Sequence, residues 1–200
     1  MKPPRVHALL RVDPSVVRGW PGAPTWVPEA LLRAPWVVVR RERIANDIPI
    51  GVRGDERTQR FAGCIAARDV LETIEPEGLD VRFAHNQKLV AVFASAREAA
   101  REDALHVAPI GSFGFELASG VRVTHAASDL DILVKDEGAT RAALLRFAAA
   151  LGRISAATGV RIDAEYSNAE GAAALDEVLA RPALVLFKTP LGPKLLPCPL

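Results

Sequence analysis

The 200-residue sequence is poor in the residues that build several specialised sites. It has two cysteines, Cys64 and Cys198, with neither CxxC spacing nor a His pair nearby, so no zinc-binding set is present in the pattern. Two isolated thiols suit a reducing cytoplasm. Aromatic residues make up only 6%, so the core must be mainly Ala, Val, Leu and Ile. No stretch approaches the roughly 18 apolar residues of a membrane span. The apolar run in MKPPRVHALL is short and interrupted by prolines, unlike a secretory leader. The formal net charge of +1 gives no global case for nucleic acid or for a membrane surface. A soluble cytoplasmic protein is expected, with neither of those partners.

Apolar residues are plentiful. Half the chain is hydrophobic, enough at this length to bury the core of one large domain or two small ones. Charge is unevenly distributed. Residues 1–70 hold 12 Lys/Arg against 7 Asp/Glu, a balance of +5, and residues 71–200 hold 13 against 17, a balance of −4. A basic front half suits phosphates or an acidic protein partner, although an arginine-rich solvated surface gives the same count. Seven of the fifteen prolines fall within residues 1–35. They argue against long helices there and leave short turns at PSVV and PEALL.

Beyond residue 35 the periodicity becomes readable. WVVVRRER (36–43) reads as a strand. IPIGVRGDERTQRFAG (48–63) is punctuated by glycine and carries Arg53, Arg57 and Arg60. CIAARDVLETI fits helix or strand equally, and PEGLD (76–80) marks a turn. Over 88–104, Leu89, Val92, Phe93, Ala96, Ala99 and Ala100 follow the spacing of a helical face, with Asn86 as its cap. LHVAPI (105–110) is a short strand or a linker, and Gly120 closes a short FGFELAS helical turn. DLDILV (129–134) is a strand, and residues 138–159 are the clearest helix, closed by Gly159. VRIDAEY (160–166) alternates as a strand, NAEGAAALDEVLA reads as helix, and PALVLFKT (182–189) as a strand. This alternation predicts a sheet with packed helices, an α/β (α+β) protein. The proline-rich front half reads as a smaller α/β module, dividing the chain into 1–80 and 81–200 with a boundary near 76–88.

The chemistry concentrates in SDLDILV. Residues i and i+2 of a strand share a face, so Asp129 and Asp131 point the same way. Two adjacent carboxylates repel unless a cation lies between them. Mg²⁺ takes oxygen ligands, one or two carboxylates together with substrate phosphates. Seventeen residues before Asp129 stands Gly111-Ser112. Glycine lets a phosphate approach the backbone, and N–H groups at a helix start favour an anion. In RIDAEY, Asp163 and Glu165 again share a face, and either would complete a triad by binding metal and accepting a proton. Singly, each signal has an ordinary explanation as a cap, a turn or a solvated surface; the order of the three makes the catalytic reading the stronger. Lys188 ends the last strand and reaches a phosphate or snorkels; His106 and His125 flank the motifs but form no metal set. Trp20, Trp26 and Trp36 read as core packing ahead of base stacking.

The Gly-Ser turn, the Asp-x-Asp strand and the later carboxylate resemble the nucleotidyltransferase superfamily. More closely, IPIGVRG with RTQRFAG, GSFGFELASGVRVTHAASDLDILV, RIDAEY and LVLFKTPLGPKLL resemble the phosphoribosyl-dephospho-CoA transferases of malonate decarboxylase, over residues 36–196. The gap from Ser112 to Asp129 exceeds that of small antitoxin-type relatives. The resemblance implies a nucleotidyltransferase-like mixed sheet, Mg²⁺ or Mn²⁺ as cofactor, and catalytic and metal-binding roles for Asp129, Asp131 and Asp163. It implies phosphate contacts from Gly111, Ser112, Arg53, Arg57 and Lys188. The expected substrates are 2′-(5″-triphosphoribosyl)-3′-dephospho-CoA and the apo acyl-carrier-protein subunit of malonate decarboxylase. The prosthetic group would join a serine, and pyrophosphate would leave. Two alternatives remain: another nucleotidyltransferase acting on a small molecule or other protein, and a non-catalytic docking subunit of a decarboxylase.

Overall fold

The computed structural model describes residues 4–42, 44, 46–56, 58–136, 138–189 and 191–200. Residues 9–74 build a five-stranded antiparallel sheet. Its strands are β1 (Leu9–Val12), β2 (Trp36–Val39), β3 (Asp47–Arg53), β4 (Arg60–Ala66) and β5 (Val70–Ile74), ordered β4-β3-β2-β1-β5. One helix, α1 (Trp26–Arg33), covers one face. Its buried Val27, Ala30 and Leu31 pack on Leu10, Val37 and Ile50 of alternate strand positions. The helix is longer than the turn expected at PEALL. Pro28 sits in its first turn, where the missing N–H has no partner to lose. The strand β1 was hidden by the flanking prolines, and the ambiguous CIAARDVLETI resolves as strand, 3-10 turn (Ala67–Asp69) and strand.

The second sheet has six strands in the order β11-β10-β9-β8-β7-β6. They are β6 (His106–Pro109), β7 (Leu130–Lys135), β8 (Ile162–Ser167), β9 (Ala172–Ala174), β10 (Leu184–Thr189) and β11 (Gly192–Pro197). The sheet is mixed: β7 and β8 are parallel, joined through helix α4 (Arg141–Thr158), and the other neighbours are antiparallel. Helix α2 (Gln87–Glu102) lies beside α4 on one face of this sheet. Their buried Leu89, Phe93, Leu144 and Phe147 meet Leu130, Ile132 and Val134 of β7. Asn86 caps α2 by accepting from the Leu89 amide at 3.2 Å, and Gly120 and Gly159 end their helices in the left-handed conformation.

One expected helix is corrected. NAEGAAALDEVLA forms the short strand β9 and only five residues of helix, α5 (Leu175–Leu179). Ala172 and Ala173 are buried, and the backbone pairing of this segment with β8 and β10 overrides the helix preference of alanine. The edge strand β11 carries no strand pattern in its sequence. Its prolines, Pro193 and Pro197, are compatible with an edge, where a missing amide costs little.

The face of the second sheet away from α2 and α4 turns toward the first sheet. Leu9 and Trp36 pack with Phe115 of α3 (Gly111–Ser119) in a small shared cluster. The two sheets thus enclose a cleft of about 860 Å³. No helix among the described residues is long and apolar enough to cross a membrane.

Candidate active site

The cleft floor is built by register. Strand β7 turns Leu130, Ile132 and Val134 into the core, each 0% exposed, which sets Asp131 on the opposite face. Asp129 immediately precedes the strand. On the parallel neighbour β8, Asp163 is the direct partner of Asp131. Adjacent strands lie about 4.8 Å apart, so the three carboxylates share one end of the cleft, and all three line it.

The Gly-Ser turn is fastened to this floor. The Ile110 amide donates to the Asp131 carbonyl at 3.0 Å, and α3 begins at the next residue. Gly111 has φ +63°, and a Cβ there would stand 2.0 Å from Asp131 Oδ2. Glycine is therefore required twice, for the left-handed backbone and for the approach of the carboxylate. The first amides of α3 have no helical partners, as at any helix start, and can donate to an anion.

A cation comes across from the first sheet. Arg53 on β3 donates from Nη1 to Ser112 Oγ at 2.5 Å. Its Nε is buried without a hydrogen-bond partner, an arrangement that a bound anion would satisfy. Burial and the nearby Arg60 push the Arg53 guanidinium down to about 10, with Asp131 opposing them. It stays charged at neutral pH. Asp131 moves the other way. Burial, then repulsion from Asp163, Asp129 and Glu165, raise it to about 6, with Arg161 opposing. Asp163 Oδ1 accepts from Arg161 Nε at 2.9 Å.

Mg²⁺ suits the donor set as an open site. Among the described residues no three His, Cys, Asp or Glu side chains already converge on a metal-holding group. Asp129 and Asp131 supply hard oxygens; burial first, and then the neighbouring carboxylates, raise the Asp131 pKa, and a cation would offset the carboxylate repulsion. One or two carboxylates, with water and phosphate oxygens completing the shell, is the usual way of holding Mg²⁺.

Other expected positions lie elsewhere. Lys188 is not brought to the cleft; its Nζ donates to Glu165 Oε1 at 2.8 Å. Arg57 lies outside the described residues. His125 lines the cleft, with its Nδ1 accepting from the Ala127 amide at 3.2 Å, whereas His106 does not reach it. Trp20 and Trp36 are buried in the first module, and none of the three tryptophans lines the cleft.

Two matched families cover almost the whole sequence. The phosphoribosyl-dephospho-CoA transferase MdcG N-terminal domain matches residues 5–76, and the corresponding C-terminal domain matches residues 78–199. The chain belongs to the phosphoribosyl-dephospho-CoA transferase family. A phosphoribosyl-dephospho-CoA transferase from Pseudomonas putida is 34% identical over 201 residues, covering 100% of this chain and 96% of the relative. One from Pseudomonas syringae pv. tomato is 37% identical over 182 residues, covering 88% and 84%. One from Klebsiella pneumoniae (strain 342) is 34% identical over 207 residues, covering 98% and 96%. No solved structure matches.

Two carboxylates that the motifs did not single out for these tasks organise this transferase. Glu116 of α3 is 0% exposed. It accepts from the amides of His85, Asn86, Val123 and Thr124 and from Thr124 Oγ1, at 2.8–3.3 Å. Burial alone would raise its pKa, but these donors hold it below the usual carboxylate value. Glu116 thereby pins the irregular segment after α3 that delivers Asp129. Only its place inside an apolar helix hinted at this, because its partners are distant in sequence. Glu165 shares the face of Asp163 but serves another task. It takes His7 Nε2 at 3.2 Å, Lys188 and the Arg41 guanidinium, tying the first module to β8. Against the cost of burial, those contacts hold its pKa far below the ordinary value. Asp163, not Glu165, is the strand partner of Asp131.

Proposed function

We propose that this transferase moves the phosphoribosyl-dephospho-CoA group from 2′-(5″-triphosphoribosyl)-3′-dephospho-CoA to a serine of the apo acyl-carrier-protein subunit of malonate decarboxylase. The observation that carries the reading is the pairing of Asp131 with Asp163 directly under Gly111-Ser112 and Arg53. Carboxylates able to hold a metal and donors able to hold phosphates in one cleft support this reading.

The serine Oγ attacks the α-phosphorus, a new P–O bond forms, and the bond to the β-phosphate oxygen breaks. Pyrophosphate leaves with the bonding pair. Asp163, oriented by Arg161, accepts the serine proton. Asp129 and Asp131 hold Mg²⁺ or Mn²⁺, which when bound neutralises charge on the reacting and leaving oxygens. The first amides of α3, the Ser112 hydroxyl and Arg53 hold the departing phosphates. Because Arg53 arrives from the first sheet, the substrate phosphates are held between the two sheets, which fixes the line of attack.

The test is incubation with the triphosphoribosyl precursor and apo carrier, read by intact mass and peptide mapping. One carrier serine should gain the prosthetic group, with one pyrophosphate released per transfer. Reaction only with ordinary nucleoside triphosphates would favour another nucleotidyltransferase. Carrier binding retained without any transfer would favour a docking subunit.

A further inference from the structure

The cleft wall opposite the carboxylates has a layout of its own. Register across the first sheet sets its side chains in transverse rows. Arg53 pairs with Arg60 in one row. Two residues along each strand, Gly51 pairs with Ala62 on one side and with Val38 on the other, and Val38 pairs with Leu9. Two residues further again stand Arg40 on β2's continuation and His7 before β1. Residues of all three rows line the cleft. At about 3.4 Å per residue, neighbouring rows are about 7 Å apart and the outer two about 14 Å.

The middle row is low on its β3–β4 side and continues as the apolar Val38 and Leu9. Ala62 is exposed and carries only a methyl group. Gly51 does not have the positive φ that would require glycine, and an added Cβ would meet Val38 Cγ1 at 3.2 Å and carbons of Arg40 from 3.4 Å. Gly51 thus leaves room for Val38 and for the Arg40 stem that leans over it, and with Ala62 it keeps a low apolar floor between two guanidinium rows. At the far row, Arg40 Nη1 contacts Glu42 at 3.1 Å, with the side chains 40% and 49% exposed. Such a solvent-facing pair is weak and gives way to a phosphate.

We propose that Arg40 binds the 5′-diphosphate of the dephospho-CoA moiety and that the Ala62–Gly51–Val38 floor carries the adenosine between two phosphate ends. This rests on the assignment of the Arg53 end to the triphosphate. The lengths agree. From the reacting phosphorus to the first phosphorus of the diphosphate, the substrate runs through about twelve bonds, at most about 14 Å when extended. The flat purine fits two adjacent strands that present no bulky side chain, and each charged end meets a cation.

The experiment measures binding of three ligands with Mg²⁺ by competition or calorimetry: the full precursor, its analogue ending at adenosine without the 5′-diphosphate, and inorganic tripolyphosphate. Arg40→Gln should weaken the full precursor about tenfold and change the other two less than twofold. Ala62→Leu, at an exposed position, should weaken precursor and analogue at least fivefold and leave tripolyphosphate unchanged. Arg53→Gln should weaken all three. An Arg40→Gln protein that loses precursor and analogue alike, or neither, overturns the inference while leaving the triphosphate site intact. Failure of tripolyphosphate to bind the wild type removes the triphosphate site itself, and this inference with it.

Discussion

Asp131→Asn should stabilise the metal-free protein while destroying its activity. Burial and neighbouring carboxylates lift Asp131 from 3.8 to about 6 in the folded state. Between those values the folded protein holds a proton that the unfolded chain has released, so stability falls as pH rises through this window. Above pH 6 the full cost of the buried charge is present. The rise corresponds to about 3 kcal/mol, and solvent screening in the open cleft reduces it to about 1.5 kcal/mol. An amide of the same shape carries no such cost. In EDTA at pH 7.5, Asp131→Asn should melt about 3–6 °C above wild type, and near pH 4 the two should converge. Adding Mg²⁺ should raise the wild type and leave the variant unmoved. The assay is thermal or urea unfolding at both pH values. A variant less stable than wild type at pH 7.5, or a difference that ignores pH, would refute the reasoning.

Gly111→Ala should cost about 1–3 kcal/mol from its positive φ and, by displacing the Asp131 carboxylate, lower transfer about 100-fold; unfolding and transfer assays check both. Glu116→Ala orphans four amides and a hydroxyl, so a loss of about 3 kcal/mol is expected by urea unfolding. Glu165→Gln leaves Arg41 and Lys188 without their carboxylate and should destabilise by about 3 kcal/mol at neutral pH. Because the Glu165 pKa is depressed, its contribution is complete above the ordinary value of 4.5 and fades as pH falls below it, so the wild-type advantage should shrink in acid.

Strands β7, β8 and β10 and helices α2 and α4 of the second sheet are legible because their signals are local. Period-2 and period-3.6 patterns, the Asn86 cap and the closing glycines at 120 and 159 mark elements without help from tertiary contacts. The Asp129–Asp131 pair follows from strand alternation alone. What could not be read depends on pairing across long separations. β9 is strand because its backbone pairs with β8 and β10, and β1 is too short to stand out among prolines. Lys188 and Glu165 shared a plausible reading as site residues, yet they meet each other instead. Arg53 was marked by its glycine-rich setting, but its reach to Ser112 exists only because the two sheets face each other. Arg40 gave no sequence signal at all, since its significance lies in rows across strands.

The most direct measurement is the single-turnover rate of pyrophosphate release on mixing the enzyme with precursor, Mg²⁺ and apo carrier. Wild type should release one pyrophosphate per modified serine, and none without carrier. Asp131→Asn, shown to be folded by its unfolding transition, should be slower by at least 1,000-fold, on the order expected when charge stabilisation at the reacting phosphoryl group is lost. An Asp131→Asn rate within tenfold of wild type would contradict the assignment of this cleft as the place where phosphoryl transfer occurs.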